Sequence, residues 1–201
     1  MAKNEKEGLR AQILRAARKL LIKEGVKDVS MRKIASSIGY TATSIYYHFK
    51  NKDELIHALI DEGHERLYRT NQAAIAALPE DASPLDRIDS NMRTFVKFGL
   101  ENPEFYEIMY MTQSEEFAKY PKENFRKTRR NIDLGAQIYS EAQKAGLVRD
   151  REPRLSTATI GAMLHGYVSW VLMHRIDTRF DHNKLLEDIL DVIKNGIVVK
   201  Q

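Results

Sequence analysis

Cysteine is absent from the 201-residue chain. Its absence excludes disulfides, thiol nucleophiles, redox pairs and cysteine-ligated zinc, and it suits a cytoplasmic protein. No stretch alternates apolar and polar residues as a half-buried strand does. No apolar run has membrane-spanning length. The longest, Ile160 to His174, is too short, contains His165 and reads as a buried helix. The N-terminal MAKNEKEGLR lacks the apolar core of a signal peptide. Catalytic signatures are missing too. Ser30 to Lys33 has S-x-x-K spacing, but without S-D-N or K-T-G companions. There is no G-x-S-x-G, no P-loop and no G-x-G-x-x-G, and His64-Glu65 lacks the second histidine of H-E-x-x-H. The expectation is a chain that is not an enzyme, with no cofactor and no membrane partner.

What is present reads as an ordinary globular protein rather than a disordered tail: 43% of residues are hydrophobic and 30% charged. The charge is uneven. Residues 1–60 carry twelve Lys/Arg against six Asp/Glu, and the remainder carries twenty against twenty-two. All the positive excess of this +4 chain lies in its first third. Such an excess is either a footprint for a phosphate backbone or a solvated helix face, and charge alone favours the second.

Helical periodicity is almost continuous, and breaks fall where helices should end. The first helix is expected from about Glu7 to Glu24, closed by Gly25. The second starts at Ser30, carries Ile34, Ala35 and Ile38, and stops at Gly39. The third is short, Thr41 to His48, and the fourth runs from Asn51 to about Leu78. Ser83-Pro84 and Asn102-Pro103 open the next two. A longer one follows Pro121 to near Gly146, another runs from Pro153 to about Ile176, and Asp181 caps the last. The expected fold is all-α with about nine helices. A three-helix head containing a helix-turn-helix occupies residues 1–52, and a helical body occupies 53–201.

The turn Gly39-Tyr40-Thr41 joins helices two and three as a helix-turn-helix unit does. A second helix of that kind enters the major groove. Ile45 and Phe49, four apart, would anchor the third helix to the core. Ala42, Thr43 and Tyr46 then project elsewhere. Thr41, Thr43, Ser44, Tyr46 and Tyr47 offer hydroxyls, and Ala42 or a threonine methyl can meet a thymine methyl. His48 and Lys52, at the junction with the fourth helix, suit phosphate, and Arg32 can reach base or backbone. The alternative is that Tyr46 or Tyr47 packs in the core. That is expected for one of them, because neighbours on a helix point about 100° apart.

The segments AARKLLIKEG, SMRKIASSIGYT and SIYYHFKNKDELI, in that order, resemble the N-terminal DNA-binding domain of the TetR family of bacterial transcriptional regulators. The resemblance covers roughly the first sixty residues. It implies that the third helix is the recognition helix, with Arg32, Ala42, Thr43, Ser44, Tyr46, His48 and Lys52 at positions that commonly contact DNA. Tyr47 falls on an aromatic position that packs or contacts. It further implies a homodimer built from the last two helices, a palindromic double-stranded operator, and a small-molecule effector held in the body and coupled to the heads through helix four. Repression is the family's common mode.

The body's own residues fit that picture. Its penultimate helix is apolar around more than one face, and Ala158, Gly161, Ala162 and Gly166 would admit a close partner helix. Large soft side chains are frequent in the body. Phe95, Phe98, Tyr106, Met109, Tyr110, Phe125, Tyr139, Met163, His165, Tyr167 and Trp170 are the candidates to line a cavity for an apolar or aromatic effector. Each is alternatively plain core, His165 included. His165-Gly166 is similar to a pair that marks one TetR-family C-terminal type. Two rivals are weighed. His57, Asp61 and His64 share one helical face and form a conceivable metal site, but a solvated face is the expectation and no metal is expected. A ligand-independent architectural DNA binder is the other alternative to a regulated one.

Overall fold

The computed structural model describes residues 8–111 and 125–199, with the side chains of Val26 and residues 125–128 left out. Among these residues there are nine α-helices and no strand. A single antiparallel bridge joins Val148 to Val198. The helices are α1 (Leu9–Asp28), α2 (Met31–Ser37), α3 (Ala42–His48), α4 (Lys52–Ala76), α5 (Pro84–Glu101), α6 (Pro103–Tyr106), α7 (Phe125–Lys144), α8 (Pro153–Leu172) and α9 (His182–Ile197). α6 passes into a π-helical turn, Glu107–Met111.

The boundaries come from local chemistry. The Ser30 hydroxyl accepts from the Lys33 amide at 3.2 Å, and the Asp181 carboxylate accepts from the Lys184 amide at 2.9 Å. Ser83 and Asp86 satisfy each other's amides in a capping box, with Pro84 at the first helical position. At α4 the Asn51 side chain accepts from the Glu54 amide (2.8 Å), and the Glu54 carboxylate accepts from the Lys50 amide (2.7 Å). The α1 helix is interrupted at Gly25 (φ +79°), where the sequence places its end, and a further turn continues to Asp28. α8 stops at Leu172, four residues earlier than the sequence suggests, with His174 in the left-handed region at φ +53°. The segment 112–124, and with it the start expected at Pro121, lies outside the described residues.

Packing divides the chain into two compact units. This is a different partition from the division at residues 52 and 53. The first unit holds residues 8–64 and 104–111. Its core joins Ile13, Ala17 and Leu21 of α1, Ile34 and Ala35 of α2, Ile45 and Phe49, Leu55 and Leu59 of α4, and Ile108 of the π-helical turn. The second holds residues 65–103 and 126–199. There α5 packs on α8 and α8 on α9. Met92, Val96, Ile138, Leu164, Val168, Leu190 and Ile193 are buried. α7 and α8 approach closely, since a Cβ on Gly135 would lie 2.5 Å from the Thr157 methyl. Among the described residues no helix is long and apolar enough to cross a membrane.

Candidate nucleic-acid interface

The turn between α2 and α3 is set by Gly39 at φ +75°. The Gly39 amide donates to Ser36 O (3.2 Å), and the Tyr40 amide to Ala35 O (3.0 Å). This is a Schellman ending, which requires the left-handed conformation that glycine adopts without steric cost. Two residues later the Thr41 hydroxyl caps α3, accepting from the Ser44 amide at 3.3 Å and pairing with the Ser44 hydroxyl at 2.9 Å. One helix is ended and the next begun within four residues, which fixes the angle between them.

α3 is seven residues long and held by two side chains. Ile45 is 0% exposed and Phe49 1%. Arg10 of α1 stacks its guanidinium 5.0 Å from the Phe49 ring centroid. Everything else on α3 turns outward to some degree. Thr43 is exposed, and Ala42, Ser44 and His48 are half-buried. Tyr46 is 51% exposed and Tyr47 87%, so neither tyrosine packs in the core. The expectation that one of them would pack there does not hold: Ile45 and Phe49 already fill the face α3 presents to α1 and α2. Tyr47 instead meets His48 edge to face, with ring centroids 5.3 Å apart.

Arg32 is exposed on α2. Lys52 is half-buried, and its ammonium donates to Val29 O at 3.3 Å. That bond ties the start of α4 to the residue following α1. Arg32, Thr41, Ala42, Thr43, Ser44, Tyr46, Tyr47, His48 and Lys52 thus all lie on α2, on α3 or its cap, or at the start of α4, within one unit. Tyr40, 43% exposed, and exposed Lys50 flank the same helix. Neither stands out in the sequence, because each sits two residues outside α3, where periodicity carries no signal.

In the first unit, Tyr106 is buried, Met109 half-buried and Tyr110 partly exposed, with Tyr106 and Tyr110 ring centroids 4.9 Å apart. Buried His64 meets Tyr110 edge to face at 5.7 Å, and burial holds its pKa down at about 4. The solvated face expected for His57, Asp61 and His64 therefore fails at His64. The side chain of Phe125 is outside the described set.

In the second unit, Phe98 is buried and Phe95 half-buried. Buried Tyr139 and Tyr167 donate their hydroxyls to Arg149 O and His182 O, each at 3.0 Å, which fastens α7 to the loop after it and α8 to the start of α9. His165 is half-buried, and desolvation lowers its pKa below the ordinary imidazole value. Met163 and Trp170 are exposed, Trp170 at 57%. They share the outward side of α8 with Leu155 and Met173, and Val192 of α9 is likewise exposed. A Cβ on Gly161 or Gly166 would meet open space. An open groove of about 870 Å³ lies between α5 and α9, lined by Leu85, Asp89, Arg93, Lys97, Leu186 and Lys194 among others, and by none of the eleven cavity candidates.

Two family models cover most of the chain. Residues 13–59 match that of the bacterial regulatory proteins of the tetR family, and residues 88–193 match the tetracyclin repressor-like C-terminal domain. The chain belongs to the TetR family. Over 74 residues it is 40% identical to the HTH-type transcriptional regulator TtgR of Pseudomonas putida, a match spanning 35% of each protein. A TetR-family regulatory protein from Rhodococcus RHA1 shares the fold at TM-score 0.74 with 18% identity, covering 96% of this chain and 98% of that one. So does SmeT, solved as a complex with triclosan, at TM-score 0.72 and 19% identity, covering 95% and 92%. In this TetR-family chain the helix-turn-helix is α2–α3, inside the segment that the first family model matches.

Proposed function

We propose that this protein is a sequence-specific, DNA-binding transcriptional regulator that acts in the cytoplasm as a repressor. One observation carries the reading: α3 is pinned by Ile45 and Phe49 alone and turns its other side chains outward to some degree, within the first sixty residues, which hold the positive excess. In the major groove, Thr43 and Tyr46 would read base edges, and Ala42 would meet a thymine methyl. Thr41, Ser44, Tyr47 and His48 would hold sugar and phosphate, with Arg32 on base or backbone. Lys52, at the start of α4, would meet phosphate. Residues 1–52 would be the DNA-binding part and 53–201 the regulatory part.

The exposed apolar side of α8 and α9 supports a homodimer. Leu155, Met163, Trp170, Met173 and Val192 gain by burial, and Gly161 and Gly166 leave room for a second backbone. A two-fold pair presents two recognition helices to a palindrome. Met163 and Trp170 are thereby assigned to that face rather than to effector contact. An apolar or aromatic effector is supported by the body's aromatic and methionine content, and SmeT, a fold relative, takes triclosan. Such an effector releases the operator only if it binds better to the state whose heads are wrongly spaced.

Selection of bound duplexes from a random pool tests the proposal. The expected product is a recurrent inverted repeat with half-sites about one helical turn apart. A pool that stays random after repeated rounds would favour an architectural, sequence-indifferent binder.

A further inference from the structure

Arg18 of α1 is engaged by side chains from two other helices of the first unit. Its guanidinium donates to Glu104 of α6 at 3.0 Å and lies 3.6 Å from the Glu62 carboxylate of α4. It also stacks 4.2 Å from the ring centroid of Phe105. Three helices meet on one side chain that is only 16% exposed. Exposed ion pairs are usually worth little. This one is shielded, shared by two carboxylates and set over an aromatic ring, a combination that suits a planar guanidinium better than an ammonium.

The packing around it is tight. A Cβ on Gly63 would collide with the Met109 sulfur and lie 3.2 Å from Phe105. The π-helical turn Glu107–Met111 packs against α1 and places Ile108 in the core of the head. By packing, residues 104–111 belong with the head, yet the chain reaches them directly from α5 of the second unit. The chain therefore passes between the units within α4, at the junction after Pro103, and again at the start of α7; the first two of these lead into the described part of the head.

We infer that Arg18 is a positioning residue that fastens this second route to α1. The setting of α2–α3 on DNA then follows residues 104–111 as well as α4. The inference rests on the DNA-binding reading above and adds a regulatory input to it. Coupling is reciprocal: if residues 104–111 bias the head, DNA held by the head must in turn bias residues 104–111.

The test is hydrogen–deuterium exchange of the full chain with and without the selected duplex, for wild type, Glu104→Gln and Arg18→Lys. Circular dichroism confirms that each is folded. In wild type, the duplex is expected to slow exchange in residues 104–111 by about threefold or more, although they lie outside the helix-turn-helix. Both substitutions should abolish that slowing. They should also weaken binding of the selected duplex by about threefold or more while leaving random duplex within about twofold. Glu104→Gln, at a partly exposed position, keeps the test available if Arg18→Lys unfolds. Slowing that survives both substitutions, or is missing in a wild type that binds its duplex, overturns the inference alone. A wild type that distinguishes no duplex overturns the DNA-binding reading and this inference with it.

Discussion

Replacing Ile45 and Tyr46 by alanine, one at a time, separates holding α3 from using it. The two are chain neighbours, at 0% and 51% exposure. Ile45 sits in the core shared by α1, α2 and α4. Removing its side chain leaves a cavity and should cost about 2–5 kcal/mol. Against a domain stability of about 5–15 kcal/mol, that loosens α3 and weakens binding to every duplex. Tyr46→Ala removes a largely solvated ring and should change stability by only about 0.5 kcal/mol. If its hydroxyl makes a hydrogen bond to DNA, the loss is about 1–3 kcal/mol per half-site, roughly 5- to 150-fold in affinity. Urea denaturation gives the first quantity, and fluorescence anisotropy with selected and random duplexes gives the second. A Tyr46→Ala protein that binds the selected duplex as wild type does, or that is destabilised as Ile45→Ala is, would refute the division of α3 into an anchoring and a reading face.

Lys52→Ala should weaken selected and random duplexes about equally and reduce the log–log salt slope by about 1. It should also cost about 1 kcal/mol of stability through the lost bond to Val29 O, and an unchanged salt slope would contradict the phosphate role. His64 has its folded pKa lowered from 6.5 to about 4, by burial against a smaller opposing pull from Asp61. Above pH 6.5 neither state carries the proton. As pH falls toward 4, the unfolded chain binds it first and stability drops, by about 2 kcal/mol between pH 7.5 and 5. His64→Gln should remove most of that slope in urea titrations, and an equal slope in both proteins would show that other groups set it. Trp170 is the sole tryptophan, so its emission reports on α8. It should shift to the red on dilution as a dimer parts, and Trp170→Asp should be monomeric in sedimentation, whereas a dimeric Trp170→Asp protein would move the contact elsewhere.

Element order and most boundaries were legible in the sequence because they are set by neighbours in the chain. Ser30, Asn51, Ser83 with Pro84, and Asp181 cap where they stand, and Gly39 turns where its dihedral freedom is needed. The anchoring of α3 was legible from the spacing of Ile45 and Phe49. What escaped depends on distant partners. Lys52 is drawn to Val29 O, and His64 is buried beside Tyr110, a residue far along the chain. Both tyrosines turn outward because two anchors suffice for two helical turns. The π-helical turn after α6 accompanies tight packing on Gly63, which no local pattern encodes. The apolar sequence of α8 offered no period from which to tell its inward Leu164 and Val168 from its outward Met163 and Trp170.

Equilibrium competition measures the central claim most directly. Wild-type protein bound to its selected duplex is challenged with unlabelled selected duplex and with a scrambled duplex of the same composition at one fixed salt concentration. The account predicts that the scrambled duplex competes about 10³-fold less well or worse. A ratio within about tenfold would mean that the protein reads phosphate and shape alone, and that the outward face of α3 carries no sequence preference.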